Sequence, residues 1–323
     1  MVKFIIKRIL AMIPQLFILS LLVFMLTKAM PGDPLSSTFL NDPNLDPAVL
    51  EELKEKMGLN DPWYVQYADW IKRLAKGDLG VSYVHKVKIS KLLGERFANT
   101  IILGLATLII AYLIAIPLGI IAGRYQDSWA DKLIVGYNYF SFAVPLFVFA
   151  LLMLFIFGFR LGWFPTSGSV DPQAVKGTWE YYLSRLHHLI LPATTAALLS
   201  TVGTIQYLRS EIIDTKYQDF VKTARAKGTP ERSVYNRHIL RNSLLPIAAF
   251  LGTDIVSILG GSIFIEQIFG YPGIGQLFIS SIVQRDYSVV VVLVMLSGFL
   301  AILGTLLSDI IMSIVDPRIR IEE

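Results

Sequence analysis

The chain has 323 residues, of which 54% are hydrophobic, and its mean hydropathy is +0.57. This apolar share exceeds that of a soluble domain and indicates a membrane protein. The chain contains no cysteine, which excludes disulfides and thiolate metal sites. Its net charge is +4, from 29 basic and 25 acidic residues. In a membrane protein such an excess of basic residues indicates topology first, and not nucleic-acid binding.

Six apolar stretches are long enough to cross a bilayer, so the sequence predicts an all-α membrane protein with six transmembrane helices. The stretches lie at about 9–30, 101–122, 133–157, 189–208, 244–265 and 288–315. The first lacks the short apolar core and the small-residue cleavage site of a signal peptide, so we interpret it as a retained span. Pro145 falls in the middle of the third stretch, where proline frees a backbone carbonyl and bends a helix.

The segment after the first span, residues 31–99, is polar and too short to be an independent enzyme domain with a sizeable core. Residues 63–74 within it predict a helix with an apolar side formed by Tyr67, Trp70, Ile71 and Leu74. In the loop between the third and fourth spans, His187 and His188 are adjacent, but no third metal ligand lies at a useful spacing from them. We therefore interpret the two histidines as an interfacial pair and not as a metal site.

Residues 209–243 form a long polar loop between the fourth and fifth spans, and they predict two short helices joined by a corner at Gly228. One apolar stripe follows the first of these helices, formed by Tyr217, Phe220, Val221, Ala224 and Gly228. We expect this stripe to need a partner surface, because the loop is too short to bury it alone. Ala224 and Gly228 leave room for close approach, and Arg225 and Lys227 can pair with acidic groups at the rim of the partner.

The distribution of basic residues predicts the sidedness of the chain. With the N-terminus inside, the inner segments hold most of the lysines and arginines, including those of the loop 209–243, whereas the two short outer loops hold only four. Because short cytoplasmic loops are enriched in basic residues, both termini are predicted to be cytoplasmic and residues 31–99 to lie outside.

Several enzyme motifs are absent from the sequence. There is no G-x-x-x-x-G-K-[ST], no H-E-x-x-H and no G-x-S-x-G, so P-loop ATPase, zinc protease and serine hydrolase functions lack support. A secondary transporter would be expected to show paired broken spans in two repeats, which are not evident. An intramembrane enzyme needs a reactive cluster, and the candidate buried acids, Asp254 and Asp309, lie on different spans. The sequence thus favours a transport subunit without an active site of its own.

The loop 209–243 resembles the coupling loop of permease subunits in ABC-type importers. The general family pattern of Glu-Ala-Ala, three residues and Gly is here Lys222-Thr223-Ala224 followed by Gly228, and the spacer to Leu245-Pro246 is long. Both departures are similar to the oligopeptide/dipeptide/nickel branch. Pro-Gly-x-Gly at 272–275 and Asp-Pro-Arg at 316–318 resemble the same branch.

This resemblance implies the type I ABC importer permease fold, with a long outer segment after helix 1 and a cytoplasmic coupling helix between helices 4 and 5. It implies the B-type permease of a di- or oligopeptide importer in a bacterial or archaeal cell membrane, with nickel or a metal complex as the alternative cargo. The implied partners are a second homologous permease, two cytoplasmic ATPase subunits that hold ATP and Mg, an external peptide-binding protein and membrane lipid. No cofactor in this chain and no nucleic acid is implied.

Two sets of site residues follow from the stripe and the resemblance. The residues predicted to couple to the ATPase are Tyr217, Phe220, Val221, Ala224, Arg225, Lys227 and Gly228. Asp254 is an ionisable group within a span, so we predict that it lies near the translocation path or the interface between the two permeases. The alternative for Asp254 is a structural hydrogen bond to a neighbouring helix.

Overall fold

A computed structural model gives the arrangement of the chain. It describes residues 2–29, 60–82, 84–244 and 262–315, together with single positions at 55, 247, 251, 254, 255 and 258. The helices α1 to α11 are, in chain order, Val2–Ala29, Trp63–Ala75, Ile89–Arg124, Trp129–Ala143, Leu146–Met153, Trp179–Lys216, Asp219–Ala226, Glu231–Ser233, Ile263–Ile268, Ile274–Val283 and Tyr287–Val315. Helix α5 continues as a π-helix over Leu154–Arg160, and α8 continues as a π-helix over Val234–Leu240 and a final turn over Arg241–Ser243. The predicted all-α class is confirmed.

Four helices of the described part are long and apolar enough to cross a membrane. These candidate spans are Arg8–Lys28, Ile89–Arg124, Trp179–Lys216 and Tyr287–Leu306. Helices α4 and α5 together make a fifth candidate if they are counted as one broken span. The predicted span at 244–265 falls largely outside the described residues, so the count of six spans and their bounds stay predictions.

The bend predicted at Pro145 is confirmed, and it divides the stretch 133–157 into two helices that meet at an angle of 102°. Helix α4 ends at Ala143, and both Val144 and Pro145 have extended backbone angles. The proline explains this end, because its ring disfavours a helical conformation at the residue before it.

Helices α3 and α6 pack closely along the half of α3 that ends at Arg124, and glycine makes this possible. A Cβ atom at Gly119 would lie 3.0 Å from the Cβ of Leu208, and one at Gly123 would lie 2.7 Å from the Cβ of Ile212. Leu208 and Ile212 are both fully buried. Small residues that let two backbones approach are the usual packing device between helices in lipid. The α3–α6 pair therefore forms the centre of the described bundle.

An ion pair joins α4 to α6. The Asp131 side chain is 3% exposed and accepts hydrogen bonds from Arg209 Nε at 2.6 Å and Nη2 at 2.8 Å. It also accepts the backbone N–H of Asp127 at 2.9 Å. Both carboxylate oxygens therefore accept hydrogen bonds. The pair holds the start of α4 against α6 at Arg209, seven residues before α6 ends.

Candidate coupling site

The predicted corner at Gly228 is present, and backbone hydrogen bonds define it. Helix α7 ends with the Gly228 N–H donating to the Arg225 carbonyl at 2.9 Å and the Thr229 N–H donating to the Ala224 carbonyl at 3.2 Å. Gly228 has φ of +73°, a left-handed conformation that favours glycine at a helix end. Pro230 then leads directly into α8.

The apolar stripe of α7 is divided between the interior and the surface. Val221 and Ala224 are buried in a cluster with Val234, Tyr235 and Ile239 of the α8 segment and with residues of α6. Tyr217 and Phe220 are 68% and 43% exposed. The α8 segment covers Val221 and Ala224 together with α3 and α6, so the loop does not bury its stripe alone. The two aromatic side chains are the part that remains open to a partner.

Space at the corner is open on the outside. A Cβ atom at Gly228 would meet no described atom within 4 Å, so side chains can be added there without a clash inside this chain. Lys227 and Gly228 are both exposed. The corner therefore presents bare backbone at the end of the helix that carries the exposed Phe220, as expected of a surface that another protein approaches closely.

Arg225 forms an ion pair inside the loop. Its Nη2 lies 2.8 Å from Glu231 Oε1 and its Nε lies 3.1 Å from Oε2, so the two planar groups meet in parallel across the corner. The Arg225 guanidinium holds the pKa of the Glu231 carboxyl below its ordinary value. Within this chain Arg225 braces α7 against α8, and its predicted pairing with a partner stays a prediction.

This brace leads to a prediction with a small effect. Both side chains of the Arg225–Glu231 pair are exposed, and exposed ion pairs contribute less than about 1 kcal/mol. We expect Arg225→Ala and Glu231→Gln each to lower ATP-dependent uptake by less than about fivefold, the factor that corresponds to 1 kcal/mol. Because the pKa of Glu231 is lowered, the pair contributes above the ordinary carboxyl pKa and is lost as pH falls through the lowered one.

The measurement is thermal unfolding of the wild type and Glu231→Gln between neutral and acidic pH. The difference in stability should be present at neutral pH, should shrink as pH falls below the ordinary carboxyl pKa of Glu, about 4.3, and should disappear below the lowered pKa of Glu231. A difference that grows on acidification would contradict this role.

Both α6 and the α8 segment contact the end of α3. Lys216 Nζ donates to the carbonyls of Gly123 at 2.5 Å and Arg124 at 2.9 Å, the last carbonyls of that helix. The Arg124 guanidinium lies 4.6 Å from the centre of the Tyr235 ring, a cation–π distance. Sequence reasoning missed these contacts, because a lysine at a helix end is expected to serve its own helix and not a neighbour. They connect the corner to the α3–α6 pair.

Asp254 accepts a hydrogen bond from the Tyr112 hydroxyl of α3 at 2.6 Å. The predicted alternative, a hydrogen bond to a neighbouring helix, is therefore present, whereas a place on the translocation path stays a prediction. Tyr112 lies against the cluster that contains Val221 and Ile239. Asp254 thus connects its own segment to α3, which packs against α6.

Two substitutions separate the two roles of Asp254. Tyr112→Phe removes the donor and leaves the acid, and Asp254→Leu removes the acid. If Asp254 serves only this hydrogen bond, both changes should cost about 1 kcal/mol of stability and leave similar uptake. If it lies on the path, Asp254→Leu should abolish uptake while Tyr112→Phe retains most of it. Equal and near-normal uptake in reconstituted vesicles would contradict the path prediction.

Sequence reasoning also missed Glu266, which explains the Pro-Gly-x-Gly run. Its carboxylate is fully buried and accepts from the Thr100 hydroxyl of α3 at 2.8 Å and from the Gln276 N–H of α10 at 3.0 Å. A Cβ atom at Gly273 would lie 2.3 Å from this carboxylate, and one at Gly275 would lie 2.8 Å from the backbone of Ile263. The glycines are therefore required for the buried acid to join α3, α9 and α10.

The histidine pair is engaged in hydrogen bonds. His187 Nε2 donates to the Trp163 carbonyl at 2.8 Å, and His188 Nδ1 donates to the Ser184 carbonyl at 2.8 Å. Within the described ranges, no three potential metal-ligating side chains come together. Both histidines line a surface cleft of about 620 Å³ with Pro165, Asp171, Pro172, Leu183 and Ser184.

Comparison with known proteins identifies the family. Residues 115–321 match the profile of the binding-protein-dependent transport system inner membrane component, and residues 1–104 match the profile of the N-terminal part of such membrane components. The chain is 41% identical over 321 residues to the oligopeptide transport system permease protein AppB of Bacillus subtilis strain 168, which covers 99% of this chain and 100% of that protein. It is 32% identical over 320 residues to the glutathione transport system permease protein GsiC of Escherichia coli strain K12, which covers 99% of each. The chain therefore belongs to the family of binding-protein-dependent transport system inner membrane components and is a multi-pass membrane permease.

Proposed function

We propose that this chain is the membrane-spanning permease subunit of an ATP-driven importer of di- or oligopeptides. The observation that carries the proposal is the similarity over the full chain to a permease named for oligopeptide transport, at 41% identity. A second full-length relative is named for glutathione, which is itself a tripeptide. These names favour a short peptide over the nickel alternative.

The proposed partners are a second, homologous permease, two ATPase subunits with bound ATP and Mg, and an external peptide-binding protein. Dependence on a binding protein is part of the family description. For the ATPase, the support is local: Tyr217 and Phe220 are exposed at the start of the same helical segment that ends in open space at Gly228. Large exposed aromatic residues suit a protein interface.

The contacts of the loop suggest how the coupling works. Val221 and Ala224 pack into α8, and Arg225 braces the corner, so α7 and α8 move as one unit. Tyr235 of this unit contacts Arg124 at the end of α3, and Lys216 joins the end of α6 to the same carbonyls. A displacement of the ATPase against α7 is therefore passed to the closely packed α3–α6 pair, which changes the arrangement of the spans. Packed elements of this kind shift between discrete arrangements and do not deform gradually.

The test of the proposed function is uptake into vesicles reconstituted with the permease pair, the ATPases and the binding protein. We expect uptake of labelled di- and oligopeptides that requires ATP and all components, with nickel complexes as poor competitors. Peptide uptake by the permease pair without the ATPases would instead indicate a secondary transporter. Saturable uptake of a nickel complex, without uptake of peptides, would show that nickel is the cargo.

The proposed topology has both termini in the cytoplasm, with α2 outside and α7 inside. The cysteine-free sequence allows single cysteines at two exposed positions, Asn60→Cys and Lys227→Cys. In intact cells an impermeant maleimide is expected to label position 60, and position 227 should react only after the cells are opened. Labelling of position 227 in intact cells, without labelling of position 60, would reverse the topology.

A further inference from the structure

Helix α2 packs against α1 well inside the apolar length of that span. The Tyr67 hydroxyl lies 2.8 Å from the hydroxyl of Ser20, and the Tyr67 ring centre lies 5.4 Å from that of Phe24. The apolar stretch of α1 ends at Lys28. At 1.5 Å per residue, Ser20 lies about 12 Å from Lys28 along the helix axis, so Tyr67 reaches the depth of the hydrocarbon region.

A second contact gives the rotation of α2 about its axis. Gln66 Oε1 accepts a hydrogen bond from Lys28 Nζ at 2.5 Å, so Gln66 points toward the end of the span while Tyr67 points toward its middle. With about 100° per residue, the side chains that follow around α2 from this contact are, in order, Gln66, Trp70, Tyr67, Ile71 and Tyr64. Tyr67, Ile71 and Tyr64 therefore form one flank of α2, and Gln66 lies outside it.

The opposite flank of α2 is charged. It carries Asp69, Lys72 and Arg73, and Lys72 lies 3.1 Å from Asp69. Asp69 and Arg73 lie on the Gln66 side, where Lys28 marks the end of the apolar stretch. Lys72 lies further around the helix, between Asp69 and Tyr64. The change from apolar to charged around α2 thus runs in the same direction as the change from apolar to charged along α1.

Both α1 and α2 carry exposed apolar side chains. Leu22 and Leu26 of α1 are 58% and 55% exposed, and Tyr64 of α2 is 59% exposed, next to Trp63 at 51%. In a spanning helix, exposed leucines face lipid. Tyrosine and tryptophan are enriched where the hydrocarbon meets the headgroups, and basic side chains beside them suit lipid phosphates.

We propose that α2 is an interfacial helix that lies in the bilayer surface at the Lys28 end of α1 and contacts phospholipid. Tyr64 and Ile71 face the acyl chains, and Asp69 and Arg73 face water and headgroups. The predicted outer segment is therefore not wholly in the aqueous phase: its helix 63–75 anchors the segment to the membrane beside the first span. This inference rests on the contacts of α1 and α2 and does not depend on the cargo.

The test uses nitroxide spin labels on single cysteines in the complete complex, reconstituted in phospholipid vesicles. The positions are Tyr64→Cys on the flank proposed to face lipid and Asp69→Cys on the charged flank, with Leu22→Cys on α1 as the lipid-facing control. Collision rates are measured with oxygen, which concentrates in lipid, and with a neutral nickel(II) chelate, which stays in water.

We expect the ratio of oxygen to nickel collisions at position 64 to be several-fold higher than at position 69 and close to that at position 22. Equal nickel access at positions 64 and 69 would overturn the proposal and place α2 in water. Shielding of position 64 from both reagents would also overturn it, because another protein would then cover this flank. The control at position 22 shows that the labelled chains are inserted, and uptake assays report separately on the proposed function.

Discussion

Replacing Gly228 by tryptophan is expected to leave the permease folded and inserted but to lower ATP-dependent uptake by at least about tenfold, the factor for 1.4 kcal/mol of lost docking energy. The corner is exposed, and a Cβ there meets no described atom within 4 Å, so the indole can be accommodated within this chain. The proposed ATPase surface, however, has to approach the same backbone beside Phe220. The large effect is therefore expected only in the assembled complex, measured as uptake and as co-purification of the ATPase.

Backbone strain is the competing explanation for such a loss, because Gly228 has φ of +73°. A non-glycine residue in this conformation costs about 1–2 kcal/mol, and asparagine tolerates it better than most. Gly228→Asn therefore separates added bulk from strain. Docking predicts that tryptophan lowers uptake far more than its loss of stability explains, whereas strain alone predicts that uptake follows the melting temperature in both variants. Near-normal uptake in both variants would contradict the docking hypothesis, and a matching loss of stability and uptake would assign the glycine to the helix end alone.

Sequence reasoning predicted the corner well because its signals are local. A glycine after an amphipathic helix and a proline two residues later are sufficient to place a turn, and the structure has both at Gly228 and Pro230. The division of the stripe was not predictable in this way. Whether Val221 is buried depends on where Ile239 lies, and nothing in the helical period of α7 specifies the path of the segment that follows.

The same distinction between local and distant information applies to the spans. Apolar length predicted helices over much of the bundle, and Pro145 predicted a bend, but the angle of 102° depends on the neighbours of α4 and α5. Glu266 looked like an ordinary loop acid, because its partner Thr100 is 166 residues away in the chain. Polar groups that are satisfied across such distances become visible only when the helices are placed together.

Asp131 provides the strongest prediction about stability. It is nearly fully buried, and Arg209, 78 residues away, is its bidentate partner. Removing one member of a buried pair leaves an uncompensated charge and costs about 3–5 kcal/mol. We expect Asp131→Ala to be near the lower end of this range, because the Arg209 side chain is 20% exposed and can reach water in part. Thermal unfolding in detergent, followed by circular dichroism, measures the effect.

Asp127→Asn is the matched control for Asp131→Ala. It removes the same charge four residues earlier, at an exposed position whose φ of +63° asparagine tolerates, and it leaves the backbone N–H that donates to Asp131. This control should change stability by less than about 0.5 kcal/mol, as surface substitutions usually do. The double variant Asp131→Ala with Arg209→Leu should be less destabilised than the sum of the single variants, because neither charge is then left alone. Equal melting of Asp131→Ala and Asp127→Asn would show that the pair contributes no more than a surface charge, and that the α4–α6 contact depends on apolar packing instead.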